Sequence, residues 1–205
     1  VNPVSPAQAR ERFRGGLIAP TAGWAPGYTQ ANLVVLPRGY AFDFMLFAQR
    51  NQKACPILDV TEPGSPVTSL APDADLRTDL PAYRIWENGE AVAQTADISG
   101  YWRDDLVAFL IGCSFTFERA LAAAGVPVRH VDQGGNGNPV ALGIADLDQP
   151  DFGSPVRFQD GDLPVFWACG VTPQVALAHA RPPFAITHVP GHMLITDTPD
   201  ETYAI

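Results

Sequence analysis

The chain has 205 residues, of which 46% are hydrophobic and 17% charged, with 22 acidic against 13 basic side chains and a formal net charge of −9. So apolar a chain is not disordered, and it is long enough to bury a sizeable core. The negative field repels nucleic acid and anionic membrane, so neither is an expected partner; a small-molecule anionic substrate, the expected partner, would need a local cationic site. With no apolar run of 18 residues and no signal-peptide pattern, the expected compartment is the cytoplasm, and a homodimer is an open option. The 3 cysteines give neither an even disulfide framework nor close metal spacing, so reduced thiols are expected and neither a cofactor nor a metal site is. The 20 prolines and 18 glycines point to an irregular, loop-rich α/β fold.

Ser5 followed by Pro6 predicts a capped helix that ends at Gly15-Gly16. Residues 19–33 are too rich in proline and glycine for a regular element, and Trp24 and Tyr28 argue for an ordered loop. A brief apolar run, Leu33 to Leu36, stops at Pro37; Tyr40 to Arg50 reads as a helix and Ile57 to Thr61 as a strand. Asp73 to Pro81 is a charged loop. Tyr83 to Glu87 and Glu90 to Thr95 flank Asn88-Gly89, the strongest short hairpin signal.

Leu106 to Ile111 is a buried-strand pattern that stops at Gly112-Cys113-Ser114, and a helical pattern from Phe115 to Ala124 follows. The unit has an echo. Leu163 to Ala168 is a second apolar run, followed by Cys169-Gly-Val-Thr-Pro-Gln174 and a helical pattern to Ala180. Each unit has a Cys at the strand end, a Thr three positions later and a return strand closing on a His, at Val126 to His130 and Phe184 to His188. This suggests an imperfect internal duplication of a β-Cys-α-β unit. Between the units lie the glycine-rich patch Asp132 to Pro139, a strand pattern from Val140 to Ile144 and a turn-rich connection from Asp151 to Asp162. Met193 to Thr196 reads as a last strand, and the acidic tail from Asp197 is expected to fray.

Cys113 and Cys169 each stand where a helix N-terminus would favour a thiolate, although a buried cysteine is as often a small hydrophobe. Ser114 and Thr172 suit turns or N-caps, and the same N–H groups suit a carboxylate or an oxyanion. Glu118 has the spacing of a capping box with Ser114, or serves as an acid or base. His188 is a candidate proton shuttle and His130 a binding residue. The Val-Pro-Gly between His188 and His192 prevents a helical zinc pair. Gln30, Asn32 and Gln174 are amides able to orient a polar substrate, with hydrogen bonding inside the Pro-rich loop as the simpler role for the first two. Arg50, Arg77, Arg103 and Arg129 are candidate clamps for an anion, Asp43 a candidate buried carboxylate, and Cys55 is expected to be structural.

The stretches Ala19 to Leu33, Ala41-Phe-Asp-Phe44, Gly112-Cys-Ser-Phe115, Phe166 to Gln174 and Ile186-Thr-His-Val-Pro-Gly191 resemble the D-glutamate cyclase-like family over nearly the whole chain. The resemblance implies one domain spanning 1–205, with a mixed α/β fold, largely a three-layer α-β-α sandwich. It also implies loss of water from D-glutamate to close 5-oxo-D-proline. Members of that family carry a further segment between the counterparts of Asn136 and Gly137. Either this member lacks a subdomain there or residues of the natural chain are absent from this sequence. The leading expectation is a hydro-lyase or cyclase acting on a small amino or carboxylic acid. The alternatives are α-proton transfer by two opposed thiols, as in two-cysteine racemases, and a non-catalytic small-acid binding protein.

Overall fold

Strand β1, Tyr28–Pro37, is the axis of the molecule. The structure is a computed structural model that describes residues 4–114, 116, 121, 124–126, 146, 148–149, 155–162 and 170–203. One edge of β1 pairs with β5, Leu106–Gly112, from Ala31 opposite Gly112 to Pro37 opposite Leu106. The other edge is shared: β6, Ala185–His188, takes Val34 and Val35, and β7, Leu194–Pro199, takes the Tyr28 to Ala31 end. Strand β2, Ile57–Val60, lies outside β5, while β3, Tyr83–Glu87, and β4, Glu90–Thr95, continue beyond β6. Every described pairing is antiparallel.

Period-two alternation divides the apolar side chains between two cores. Ala31, Leu33 and Val35 of β1 join Leu106, Ala108 and Leu110 of β5 on one face, beneath Leu70, Leu76, Leu80 and Ile98 from loops. Val34 and Leu36 join Val107, Phe109 and Ile111 on the other face, beneath α2, Arg38–Arg50, and α3, Thr172–Ala180, through Phe44 and Leu177. Helix α1, Pro6–Arg14, covers the β7 end of that face by packing Ala9 and Phe13 on Ile195. The described residues are therefore a mixed α/β arrangement with helices on one face and loops on the other. The described residues form no third layer; the strand from Val140 to Ile144, residues 127–130 of the first expected repeat and residues 163–169 of the second lie outside them. Among the described residues no helix is long and apolar enough to cross a membrane.

Most expected elements stand near their expected bounds. The Ser5 cap forms its box with Gln8, and Asn88 and Gly89 turn the hairpin at φ 51° and 82°. Two expectations are corrected. Residues 28–33 are strand and not loop, because their backbone pairs with β5 and β7 while the buried Gln30 and Asn32 amides bond to carbonyls. The tail from Asp197 does not fray at once. Asp197 lies in β7 and pairs with the buried Arg10 of α1 through two hydrogen bonds, of 3.0 and 2.9 Å, and Asp200 to Tyr203 forms a 3-10 turn.

Candidate active site

Antiparallel pairing brings the end of β5, the beginning of β1, the end of β6 and the beginning of β3 to one end of the sheet. Gly112 stands opposite Ala31, and Tyr83 opposite His188. On the helical face this end is polar. Asn32 extends from β1 and donates from Nδ2 to the Gly112 carbonyl at 2.9 Å. Arg84 of β3 stands opposite Thr187 of β6, whose hydroxyl accepts from the Trp86 indole at 2.9 Å. Gln174 of α3 is fully buried; its Nε2 donates to the His188 carbonyl at 3.1 Å and its Oε1 accepts from Arg84 Nη1 at 3.3 Å.

The first turn of α3 sits above this row. Its N-cap is Val171, with no side-chain cap bond, so Thr172 occupies the first helical position and does not cap as expected. Gly170, just before the helix, lies against the Asn32 amide so closely that a Cβ there would overlap it. The Asn32 side chain thus touches both the residue before Cys113 and the residue after Cys169. The Cys113 side chain is half-buried and in no disulfide, and Ser114 beside it is buried.

Among the described residues three buried side-chain atoms have no hydrogen-bond partner: Gln30 Oε1, Arg84 Nε and Thr116 Oγ1. Gln30 lies near the start of β1, Arg84 is the second residue of β3, and Thr116 lies four residues past the end of β5. Elsewhere such groups are almost always paired, because an unpaired one loses its hydration for nothing in return.

His188 is 1% exposed and points into the loop-covered core. Its Nδ1 lies 3.2 Å from the Leu33 nitrogen and 3.3 Å from the Leu33 oxygen, so one group of that peptide edge is satisfied in either tautomer. Burial lowers its pKa to about 4, against the Leu33 hydrogen bond, which raises it. A ring held neutral and bonded to backbone fixes the strand end and is ill suited to shuttling protons at neutral pH.

Gln30 donates to the Thr21 carbonyl at 2.8 Å and ties the 19–27 loop to β1, the simpler of its expected roles. Asp43 is exposed on α2, on the wet side of its helix, and Cys55 is buried in the core beneath α2. Arg77 and Arg103 do not face this site: each pairs with a nearby aspartate, Asp75 at 2.7 Å and Asp105 at 3.0 Å. Arg50 lies exposed in the last turn of α2. Cys169, Glu118, Arg129 and His130 lie outside the described residues. Arg84 is the residue that reading the sequence missed. In the alternating hairpin it looks like any outward-facing strand residue, and only the position of α3 places Gln174 against it.

The described chain is mixed α/β with a polar sheet end under the first turn of a helix, and the comparisons give it a family. The sequence model of the D-glutamate cyclase family matches residues 107–137 and 135–197. A protein of Saccharopolyspora erythraea is 49% identical over 254 aligned positions, covering 98% of this chain and 100% of the relative. One from Rhodococcus jostii is 50% identical over 253 positions (98% and 97%), and one from Agrobacterium fabrum 49% over 250 (96% and 93%). Each of the three bears the name "putative hydro-lyase". The chain belongs to the D-glutamate cyclase family. Its 205 residues cannot fill 254 aligned positions, so the relatives carry residues that face none here, and the two parts of the family match meet at 135–137.

Proposed function

We propose that this chain is a lyase that removes water from a small amino acid, closing D-glutamate to the lactam 5-oxo-D-proline. Family membership supports the reaction class. The observation that supports the location is the single Asn32 side chain touching both Gly112 and Gly170, the sequence neighbours of Cys113 and Cys169.

Lactam closure needs an unprotonated amine to attack the side-chain carboxyl carbon. The C–N bond forms, a tetrahedral oxyanion collects charge, and the C–O bond breaks as protons convert the departing oxygen to water. The chain's N–H groups at the Cys113-Ser114 turn and at Thr172 would bear on that oxyanion, because a helix N-terminus presents donors that need no reorientation. The Cys113 thiol, with Cys169 or Glu118, would carry the protons. Gln174 and Asn32 hold the surrounding backbone in register, and Arg129 and His130 remain candidate substrate contacts.

A second reading, α-proton transfer between two thiols, is favoured by one contact: Asn32 touches the neighbours in sequence of both Cys113 and Cys169. Incubating the protein with D- and L-glutamate in heavy water separates the readings. Lactam without deuterium at the α-carbon supports cyclisation; α-deuterium without lactam supports the thiol pair. Binding with neither product supports a non-catalytic acid-binding role.

A further inference from the structure

We propose that Arg84 is the carboxylate-binding residue of this site, holding the substrate carboxylate that lactam closure leaves intact; this rests on the function proposed above. Four other arginines of the described structure each have an acid: Arg10 has Asp197, Arg14 has Asp79, Arg77 has Asp75 and Arg103 has Asp105. Arg84 is half-buried, and among the described residues no carboxylate pairs with it. A guanidinium withdrawn from water without a counter-charge is destabilising, and a surface arginine avoids this by reaching its head into solvent.

The local geometry holds the head in place and orients the fork. Gln174 cannot turn its amide round, because Nε2 is committed to the His188 carbonyl and only Oε1 faces the arginine. That oxygen takes one N–H of Nη1. The Trp86 ring lies 5.7 Å from the guanidinium carbon and limits its sideways movement. Nε is buried and unpartnered. The edge formed by Nε and Nη2 therefore has no protein acceptor among the described residues, and two parallel N–H groups on one edge match the two oxygens of a carboxylate. Desolvation lowers the Arg84 pKa from its ordinary value, as burial without a counter-charge should, yet an arginine remains charged at neutral pH.

The test is calorimetric titration of wild type, Arg84→Gln and Arg84→Lys with 5-oxo-D-proline, its carboxamide and glutarate, alongside turnover of D-glutamate and thermal melting. We expect Arg84→Gln to weaken 5-oxo-D-proline at least tenfold and to abolish the preference for acid over carboxamide. Arg84→Lys should recover part of both. The melting temperature of Arg84→Gln should change little, because no ion pair among the described residues is broken. If wild type turns over D-glutamate and Arg84→Gln matches its KM and its acid-over-amide preference, the assignment of Arg84 is wrong while the function stands. If D-glutamate is not turned over but glutarate binds wild type tenfold better than Arg84→Gln, the function is wrong and the clamp stands. If wild type binds none of these acids, both fall.

Discussion

Asn32 and Gly170 are in direct contact, and the amide of one fills the space that a side chain on the other would need. The same amide donates to Gly112 at 2.9 Å, so one buried side chain sets the spacing between the end of β5 and the start of α3. Gly170→Ala should push Asn32 off that carbonyl and destabilise by about 1–3 kcal/mol, the usual cost of overpacking. Asn32→Ala removes the obstructing atoms, so the double variant should lose less than the sum of the singles in urea denaturation. Strict additivity would show that the contact does not couple the two turns.

His188 should make stability fall with acid. Its folded pKa of about 4 lies below the ordinary 6.5, so the unfolded chain binds the extra proton between those values. The stabilisation is complete above pH 6.5 and is lost as pH falls through 6.5 toward 4, about 3 kcal/mol in all. Urea titrations of wild type and His188→Gln over pH 4 to 8 check this. The variant should show a flatter dependence between pH 4 and 6.5, and parallel curves would place the sensitivity elsewhere.

Asp197 joins the C-terminal strand to the first helix. Arg10 is only 3% exposed and donates to both Asp197 oxygens and to the Ile195 carbonyl. Asp197→Asn leaves that buried charge partly unmatched and should cost about 2–3 kcal/mol. Limited proteolysis should then release the C-terminal segment faster than in wild type. An unchanged rate and midpoint would show that the apolar contact of Ile195 with Phe13 holds β7 unaided.

Gly89 combines a φ of +82° with contact against α3: a Cβ there would lie 2.7 Å from the Ala178 carbonyl. Gly89→Ala should lower stability by about 1–3 kcal/mol, through left-handed strain and the forced shift of α3. Thermal melting measures it. A drop no larger than that of an exposed-loop substitution would mean that the hairpin tip does not bear on the helix.

Local signals were legible wherever the determinant was itself local. The Ser5 cap, the Asn88-Gly89 hairpin, the β5 strand and α3 need only neighbouring residues, and each stands where the chain chemistry puts it. The start of β1 was not legible. The amide N–H groups of its polar Gln30 and Asn32 donate to Thr21 and Gly112, one in a loop and the other on β5, 80 positions away. Arg84 was missed for the same reason: its meaning depends on there being no paired acid among the described residues and on Gln174, 90 positions distant. Arg77 and Arg103 looked equally eligible, but aspartates two residues away pair with both. His188, expected as a candidate proton shuttle, has its ring nitrogen against the Leu33 backbone and not on the polar face.

The most direct test of the account is nuclear magnetic resonance titration of the labelled protein with 5-oxo-D-proline, following backbone amides and the arginine Nε–H groups. The largest shifts should fall on Asn32, Arg84, Cys113, Thr172 and Gln174, with the Arg84 Nε–H among them, while the Glu87 to Glu90 hairpin tip and the outer face of α2 stay unchanged. Shifts confined to those remote surfaces, or no shifts at millimolar ligand, would contradict an active site at this end of the sheet.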